Sequence, residues 1–324
     1  MGEIIIKKTG ELTVDEISEI CDLFEEVFIG HSASKDEYAA KHSSTPLGYT
    51  IHALLKNEQG NVIGSHNLTP FYYIFNGEKT IFAYGGGTMI KKEYRNFLMY
   101  KRLIEECYRY ANDDGISFLM GFPNDISYPI QKKGLKREDI GELTTYILPR
   151  NIGAIKPRLR FLNFFSAAFF NIMISFSKLS SSKKIYKPLI HKDQETFSRS
   201  RYNKIGMGEN VYRYIETADY KAVYRIMNYK GVNTAFLLDV YPLSAYNFDN
   251  AIRFMCKKGK KSRIDAVMYV GHLPFKPMSL IKLPSRYEPK KFHFVGTILN
   301  HELIDERIFD ISNWEVSLTN YDLV

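Results

Sequence analysis

The spacing of apolar residues predicts a succession of strands and helices. Ile17, Ile20, Cys21, Phe24, Val27 and Phe28 fall on one helix face, and Thr13 with Glu16 makes a capping box at its start. A strand over 4–7 precedes this helix, which ends near Gly30. Residues 31–46, including Tyr38, are polar and aperiodic and read as an irregular connection. Strands follow over 48–56 and 61–75, and Asn76-Gly77 is a two-residue hairpin signal into a third strand, which starts near Thr80 and closes on Thr88-Met89-Ile90. Met99, Leu103, Cys107 and Ala111, with Ile104 and Tyr108 beside them, mark a helix that Asp113-Asp114-Gly115 stops. Residues 116–122 read as a buried strand, a second helix carries Tyr128, and 143–150 reads as the last strand of a first unit, ended by Pro149.

A stretch of different character comes next. Residues 161–177 carry no charge and are rich in Phe, with basic residues at both ends. The run is shorter than the roughly twenty residues a bilayer span needs. Asn163, Ser166, Asn171, Ser175 and Ser177 lie on one half of the helical wheel, a weak amphipathicity. Phe-rich runs are more often core, so the first expectation is a helix buried between two domains, followed by a solvated basic loop. The competing expectation is an interfacial helix on an anionic membrane surface, with 156–204 as the contact.

Strand patterns return at 211–216, 222–229 and 233–241. Pro242 ends the third, and Ala245, Phe248, Ile252 and Met255 make a helix stripe over 244–257. Strands over 264–270 and 293–299 complete a second unit whose order repeats the first. Asp239 reads as a solvated strand-end carboxylate, with contact to an acceptor as the alternative. The alternation implies an α/β (α+β) chain in three parts: an N-terminal domain over 1–150, a basic, Phe-rich helical connector over 151–208, and a second domain over 209–324.

Composition narrows this picture. At 324 residues and 45% hydrophobic, the chain can bury two cores. The opening MGEIIIKKTG has an early acid and no long apolar core, which argues against a secretory signal. Cys21, Cys107 and Cys256 are widely spaced, which suits a reducing cytoplasm and offers neither a disulfide framework nor a metal cage. The histidines show no ligand spacing either, so no metal is expected. Eleven Lys or Arg stand against Asp193 and Glu195 between Lys156 and Lys204, so the net charge of +8 belongs to the connector. Nucleic acid is a weaker expectation than membrane for that charge, because no base-reading module accompanies it.

Candidate chemistry lies in residues 83–134. A strand that feeds a helix through the short Lys91-Lys92-Glu93-Tyr94-Arg95 loop gathers the helix's first free N–H groups at one point, a natural seat for a phosphate. Gly85-Gly86-Gly87 interrupts that strand, which signals a bulge, a close approach of a ligand, or a flexible joint.

Taken in order, Met89-Ile90, Tyr94-Arg95, the helix, Gly121-Phe122-Pro123-Asn124, Tyr128 and Lys133-Gly134-Leu135 resemble the acyl-CoA half of the GNAT superfamily of N-acetyltransferases. The resemblance is to its tandem branch in bacterial polysaccharide and lipid biosynthesis. It implies two GNAT-like domains, each a mixed, mostly antiparallel sheet flanked by helices, the second degenerate and lacking a CoA loop after Tyr241. It also implies acetyl-CoA or another acyl-CoA as co-substrate. Pantetheine would lie on the strand at Met89 and Ile90, the diphosphate on the loop and helix start at Arg95, Asn96, Phe97, Leu98, Met99 and Tyr100, and the sulfur near Asn124. Tyr128, one helical turn from Asn124, would protonate the departing thiolate. The tail 311–324, with the single Trp314, resembles the family's closing strand, so Asp322 and the free carboxylate of Val324 would point back to the cleft as catalytic groups. His52 is a further candidate base. The chain departs from the family in the loop, where Arg95-Asn96-Phe97-Leu98-Met99-Tyr100 lacks both usual glycines; Asn96 tolerates a positive φ, and Leu98 does not do so cheaply.

The activity implied is N-acyl transfer to a small-molecule or glycan amine, with an amino sugar of a cell-surface polysaccharide pathway as acceptor, in the cytoplasm or at the inner face of the membrane. Two other readings stand beside it. One is an aminoacyl-tRNA-dependent transferase of the peptidoglycan-bridge type, which would explain the missing glycines and the basic segment. The other is a non-catalytic GNAT-fold binding protein, with Phe97 or Leu98 filling the donor cleft.

Overall fold

The computed structural model describes residues 2–28, 34–202, 212–258, 263–288 and 290–320. The first part of the chain runs β1 (Glu3–Lys8), α1 (Val14–Val27), α2 (Lys35–Ser43), β2 (Ile51–Lys56), β3 (Val62–Phe75), β4 (Glu78–Ile90), α3 (Phe97–Asp113), β5 (Phe118–Gly121), α4 (Ser127–Gly134) and β6 (Glu138–Glu142). Then come β7 (Thr144–Pro149), α5 (Ile152–Ile155), α6 (Asn163–Phe176), β8 (Ile190–Lys192) and α7 (Gln194–Arg201). The last part holds β9 (Arg213–Glu216), β10 (Lys221–Tyr229), β11 (Val232–Tyr241), α8 (Ala245–Lys258), β12 (Ala266–Gly271), β13 (Ile281–Lys282) and β14 (His293–Ile298). These elements form two compact units, each drawn from three stretches: Met1–Gly141, Leu189–Gly208 and His293–Asn313 in one, and Glu142–Pro188, Glu209–Phe292 and Trp314–Val324 in the other.

In the first unit the sheet order is β1-β2-β3-β4-β5-β14-β6, with β8 added to β3. The Asn76-Gly77 hairpin forms as predicted, with φ of 53° and 88°, and both positive values match the turn that fits twisted strands. Neighbouring strands are antiparallel from β1 to β4, whereas β4 and β5 are parallel and joined through α3. Side-chain alternation explains why both faces of this sheet carry a helix. Ala53 and Leu55 share a core with Leu103, Cys107 and Ala111 of α3, whereas Leu54 and Val62 share one with Ile20 and Leu23 of α1. The Thr13–Glu16 capping box is present, and Lys7 and Lys56 both reach the Glu16 carboxylate. Burial would raise that carboxyl, but the Lys7 contact, the Thr13 amide and Lys56 together hold it down at about 2.

The second unit repeats the strand-helix-strand plan. Its sheet order is β13-β7-β12-β11-β10-β9, with β11 and β12 parallel and α8 between them in sequence. Ser244 caps α8 by accepting from Asn247 N at 3.1 Å. Phe248, Ala251, Ile252 and Met255 from α8 and Phe170 from α6 pack into one core. Residues 314–320 lie against β11 and β12: Ser317 Oγ donates to Leu238 O at 2.9 Å, His272 N donates to Val316 O at 2.9 Å, and Ser317 bridges to Gly271.

Several sequence expectations are corrected. Residues 31–46 hold a helix, α2, because tertiary bonds replace the missing apolar stripe: Thr9 and Thr50 hydroxyls donate to the His42 carbonyl, and the His42 ring packs on Tyr38 at 4.3 Å. The strand read over 143–150 as the end of the first unit is β7, and it pairs with β12 in the second sheet. Conversely, the strand over 293–299 is β14, and it pairs with β5 in the first sheet. The units are therefore discontinuous, where the sequence reading divided the chain at 150 and 208. The tail forms 3-10 turns with isolated bridge residues at Trp314 and Ser317 among its described residues, not a closing strand. Asp239 is buried, not solvated, because β10 and the tail cover its strand. The Phe-rich helix is not core: Phe170 is buried, but Phe161, Phe164 and Phe165 are 76%, 79% and 67% exposed.

Candidate active site at the fork of β4 and β5

The parallel pairing of β4 with β5 covers only 82–84 against 118–120. Beyond that point residues 85–90 of β4 keep β3 on one edge and have no strand among the described residues on the other. A run of backbone N–H and C=O groups is thus left without a ladder partner inside the sheet, where such groups are ordinarily paired. The fork also contains a bulge. Register on β3 steps from Ser65↔Met89 to Asn67↔Gly86, so Gly87 and Thr88 together face His66. Gly87 has φ 59°, and a Cβ there would meet Asn67 Nδ2 at 2.3 Å, so a larger residue would be strained and would displace the Asn67 amide.

The other two glycines do not open space for a ligand, as the sequence suggested. Gly85 and Gly121, on either arm of the fork, flank the guanidinium of Arg137: Cβ atoms there would lie 3.4 Å and 2.4 Å from it. Gly86 lies against the Tyr84 ring. Arg137 is 3% exposed, donates to Gln131 Oε1 at 2.9 Å and lies over the Tyr108 ring. No carboxylate pairs with it among the described residues. The apex of the fork is therefore filled by a buried cation, while Gly87 farther out is exposed. Beside the apex, His66 Nδ1 meets Thr88 Oγ1 at 2.8 Å, and His66 Nε2, Ser65 Oγ and Arg137 Nε are buried with no hydrogen-bond partner. Burial first, and the Arg137 charge second, push His66 down to about 3, so it is a neutral ring at any ordinary pH.

The loop from β4 to α3 forms without strain. Asn96 is extended at φ −146° and caps α3 by accepting from Met99 N at 2.9 Å, and no residue of 95–100 has a positive φ. The missing glycines are explained by that geometry. The cap leaves the first N–H groups of α3, at Phe97 and Leu98, directed out of the helix end. Arg95 Nε donates to Ile90 O at 2.7 Å and ties the loop to the strand. The Phe97 ring lies over Gly134 of α4 and Leu98 is 75% exposed, so neither plugs the fork. Met89 and Ile90 are buried on opposite faces of β4, and Met99 and Tyr100 pack beside the α3 core.

Asn124 and Tyr128 lie on the far arm. Asn124 Oδ1 accepts from Ile126 N and Ser127 N, so it caps α4. The Tyr128 ring stacks on His293 at 4.0 Å, and its hydroxyl donates to Asp139 Oδ1 at 2.8 Å, in β6 two places beyond β5. Burial would raise the Asp139 carboxyl, but Lys132 at 2.7 Å and the Tyr128 hydroxyl hold it below the usual range. His293 Nε2 also meets Asp125 Oδ1 at 3.3 Å. His52 is apart from the fork, in β2 with β3 intervening, and is held by Tyr38 and Thr9 hydroxyls while burial pushes it down to about 4. Asp322 and Val324 lie outside the described residues. Sequence reasoning missed His66, Arg137, Asp125, Asp139 and His293. Only His66 had a signal: counting back from the Asn76-Gly77 turn sets it opposite Gly87.

Residues 9–133 match the family model described as an acetyltransferase (GNAT) domain. Among solved structures, the chain is similar to an Enterococcus faecalis protein described as a probable N-acyltransferase, at TM-score 0.59 and 13% identity over 92% of this chain and 73% of that one. It is also similar to a GCN5-related N-acetyltransferase from Anabaena variabilis, at TM-score 0.57 and 14% identity over 91% and 73%. The N-myristoyltransferase of Saccharomyces cerevisiae with bound myristoyl-CoA follows at TM-score 0.51 and 11% identity, over 91% of this chain and 79% of that one. No curated protein matches the chain in sequence. Residues 9–133, within the first unit, thus match a GNAT acetyltransferase domain model, and the chain is similar in fold to these structures.

Proposed function

We propose that the first unit transfers an acyl group from CoA to an amine. The observation that carries this reading is the edge of β4 from 85 onward, which no strand pairs among the described residues and which ends at the capped start of α3. The pantetheine arm, with its two amides, suits that edge because it can complete the ladder β5 abandons, while a diphosphate suits the N–H groups at Phe97 and Leu98 beside Arg95. The amine nitrogen attacks the thioester carbonyl, the carbon–sulfur bond breaks, and the thiolate leaves with a proton. A backbone N–H of the bulged strand, at Met89 or Ile90, polarises the carbonyl in this reading. The acceptor we favour is an amino sugar of a cell-surface polysaccharide pathway, supported by the Tyr94-Arg95 and Gly121-Phe122-Pro123-Asn124 signature. Three buried free thiols support work in a reducing compartment.

Calorimetry with acetyl-CoA and a thiol-release assay over a panel of amino sugars test the reading. Binding is expected, with Arg95→Glu weakening it by roughly tenfold through loss of a phosphate-facing cation. Absence of heat with any acyl-CoA would overturn it and leave the non-catalytic reading. Salt-sensitive tRNA binding instead would favour aminoacyl-tRNA as donor, a reading supported by the basic connector.

A further inference from the structure

Helix α6 and the 3-10 turns that prolong it, Pro157–Leu179, expose the side that a surface helix ordinarily hides. One stripe packs inward: Phe170 is buried in the second unit's core with Met173 and Ile174 against it. The polar residues on that side are fastened to the unit. Asn163 Oδ1 accepts from Gly153 N at 2.7 Å, Ser166 Oγ donates to Pro149 O at 3.1 Å, and Arg253 donates to the Ser177 carbonyl. The outward stripe is Phe165, Phe169, Ile172 and Phe176, at helical spacing, prolonged by Phe161 and Leu179. An ordinary surface helix turns its apolar stripe in and its polar stripe out. Here three of the polar groups are bonded inward, Asn171 and Ser175 stay exposed, and a ridge of phenylalanine faces outward, an arrangement that marks a contact surface.

Charge identifies the partner. Between Glu142 and Asp193 the sequence contains no acidic residue. Arg158, Arg160, Lys178, Lys184 and Lys187 are all exposed along this stretch, and none is paired with a carboxylate among the described residues. A second copy docking across a twofold axis would set this patch against itself, cation facing cation. A bilayer span is equally unsuited, because it must present apolar residues to lipid all round, and this helix keeps one face hydrogen-bonded to its own unit. We propose that the outward face of α6 docks onto an anionic phospholipid surface, with its phenylalanines in the boundary between headgroups and acyl chains and the flanking cations on lipid phosphates.

Flotation of the full chain with vesicles tests this, using phosphatidylcholine alone and phosphatidylcholine mixed with phosphatidylglycerol. The chain is expected to float with the mixed vesicles at low salt, to release as salt is raised, and to bind pure phosphatidylcholine weakly. Phe165→Glu with Phe169→Glu is expected to reduce the partition roughly tenfold for each phenylalanine removed. Lys178→Gln with Lys184→Gln is expected to reduce it about fivefold per cation and to flatten the salt dependence. All four side chains are exposed, so melting and Trp314 fluorescence of both variants should match the parent, which separates lost docking from lost folding. Failure to float with either vesicle overturns the proposal, as does binding that ignores lipid charge. A dimer in sedimentation that the double phenylalanine variant splits would also overturn it and give the face to a second copy.

Discussion

Both units contain the same device, two parallel strands joined through a helix and diverging after a short shared register, yet the two forks are finished differently. In the first, β4 and β5 part after 84 and 120, and the β4 edge runs on without a strand partner past an exposed glycine bulge. In the second, β11 and β12 pair through 234–236 and 266–268, and the chain's own residues 314–320 lie in the opening, with Ser317 bonded to the Leu238 carbonyl and bridged to Gly271. Gly271 is needed there because a Cβ would meet Val316 O at 2.7 Å. A buried backbone group without a partner costs about 1–3 kcal/mol, so a fork calls for an occupant. The second unit supplies one from its own chain, and in the proposed reading the first takes one from the amides of the acyl donor.

The sharpest way to break this comparison is to remove the internal occupant. Trp314 is fully buried at the root of the tail, and Trp314→Ala is expected to cost the second unit about 4 kcal/mol, read by hydrogen exchange at β11 and α8. If CoA binding by the variant stays at the parental value, the two forks are independent in function. Next in size, Gly87→Val should lower acyl transfer roughly 100-fold, because the added side chain collides with Asn67 and displaces the edge that positions the thioester. An unchanged rate would show that the bulge has no part in the chemistry.

Acid should act on the first unit through its buried histidines. Folding holds His66 at about 3 and His52 at about 4, below the ordinary 6.5, so the unfolded chain takes up protons that the folded one refuses. Their contribution is fully present above about 6.5 and is lost as pH falls toward 4, at up to about 1.4 kcal/mol per pH unit for each ring. Hydrogen exchange at β2 and β3 across that window measures it, and His66→Gln should flatten the slope. The smallest effect is expected from Arg137→Met, which replaces the apex cation by a neutral chain of similar reach. Stability should move by no more than about 1 kcal/mol, and His66 should titrate higher once the charge is gone. A rise in CoA affinity in that variant would show that Arg137 restricts the depth of the fork.

Much of the first unit was legible because its instructions are local. The Thr13 cap, the Asn76-Gly77 turn and the four-residue stripe from Met99 to Ala111 each act within one or two turns of chain, and each stands where it was read. The loop of 95–100 was located correctly but misjudged in conformation, since helix capping by Asn96 removes any demand for positive φ. The roles read for Asn124 and Tyr128 meet side chains already engaged, one in capping α4 and the other with Asp139 and His293. Asp139 and His293 reach Tyr128 from strands that only sheet assembly brings beside α4.

By itself the sequence determined most of the elements, the strand-helix-strand order in both halves, the interruption of β4 by glycines and the confinement of positive charge to one connecting stretch. Periodicity, turn chemistry and composition are properties of neighbouring residues, and so they can be read from neighbours. Only the tertiary structure decided that β7 and β14 each pair in the other half's sheet, that Arg137 fills the apex of one fork and the tail the other, and that the phenylalanines of α6 face outward. Those outcomes depend on which distant backbone edges close on each other and on which face of a helix finds hydrogen bonds. Spacing along the chain carries no record of either.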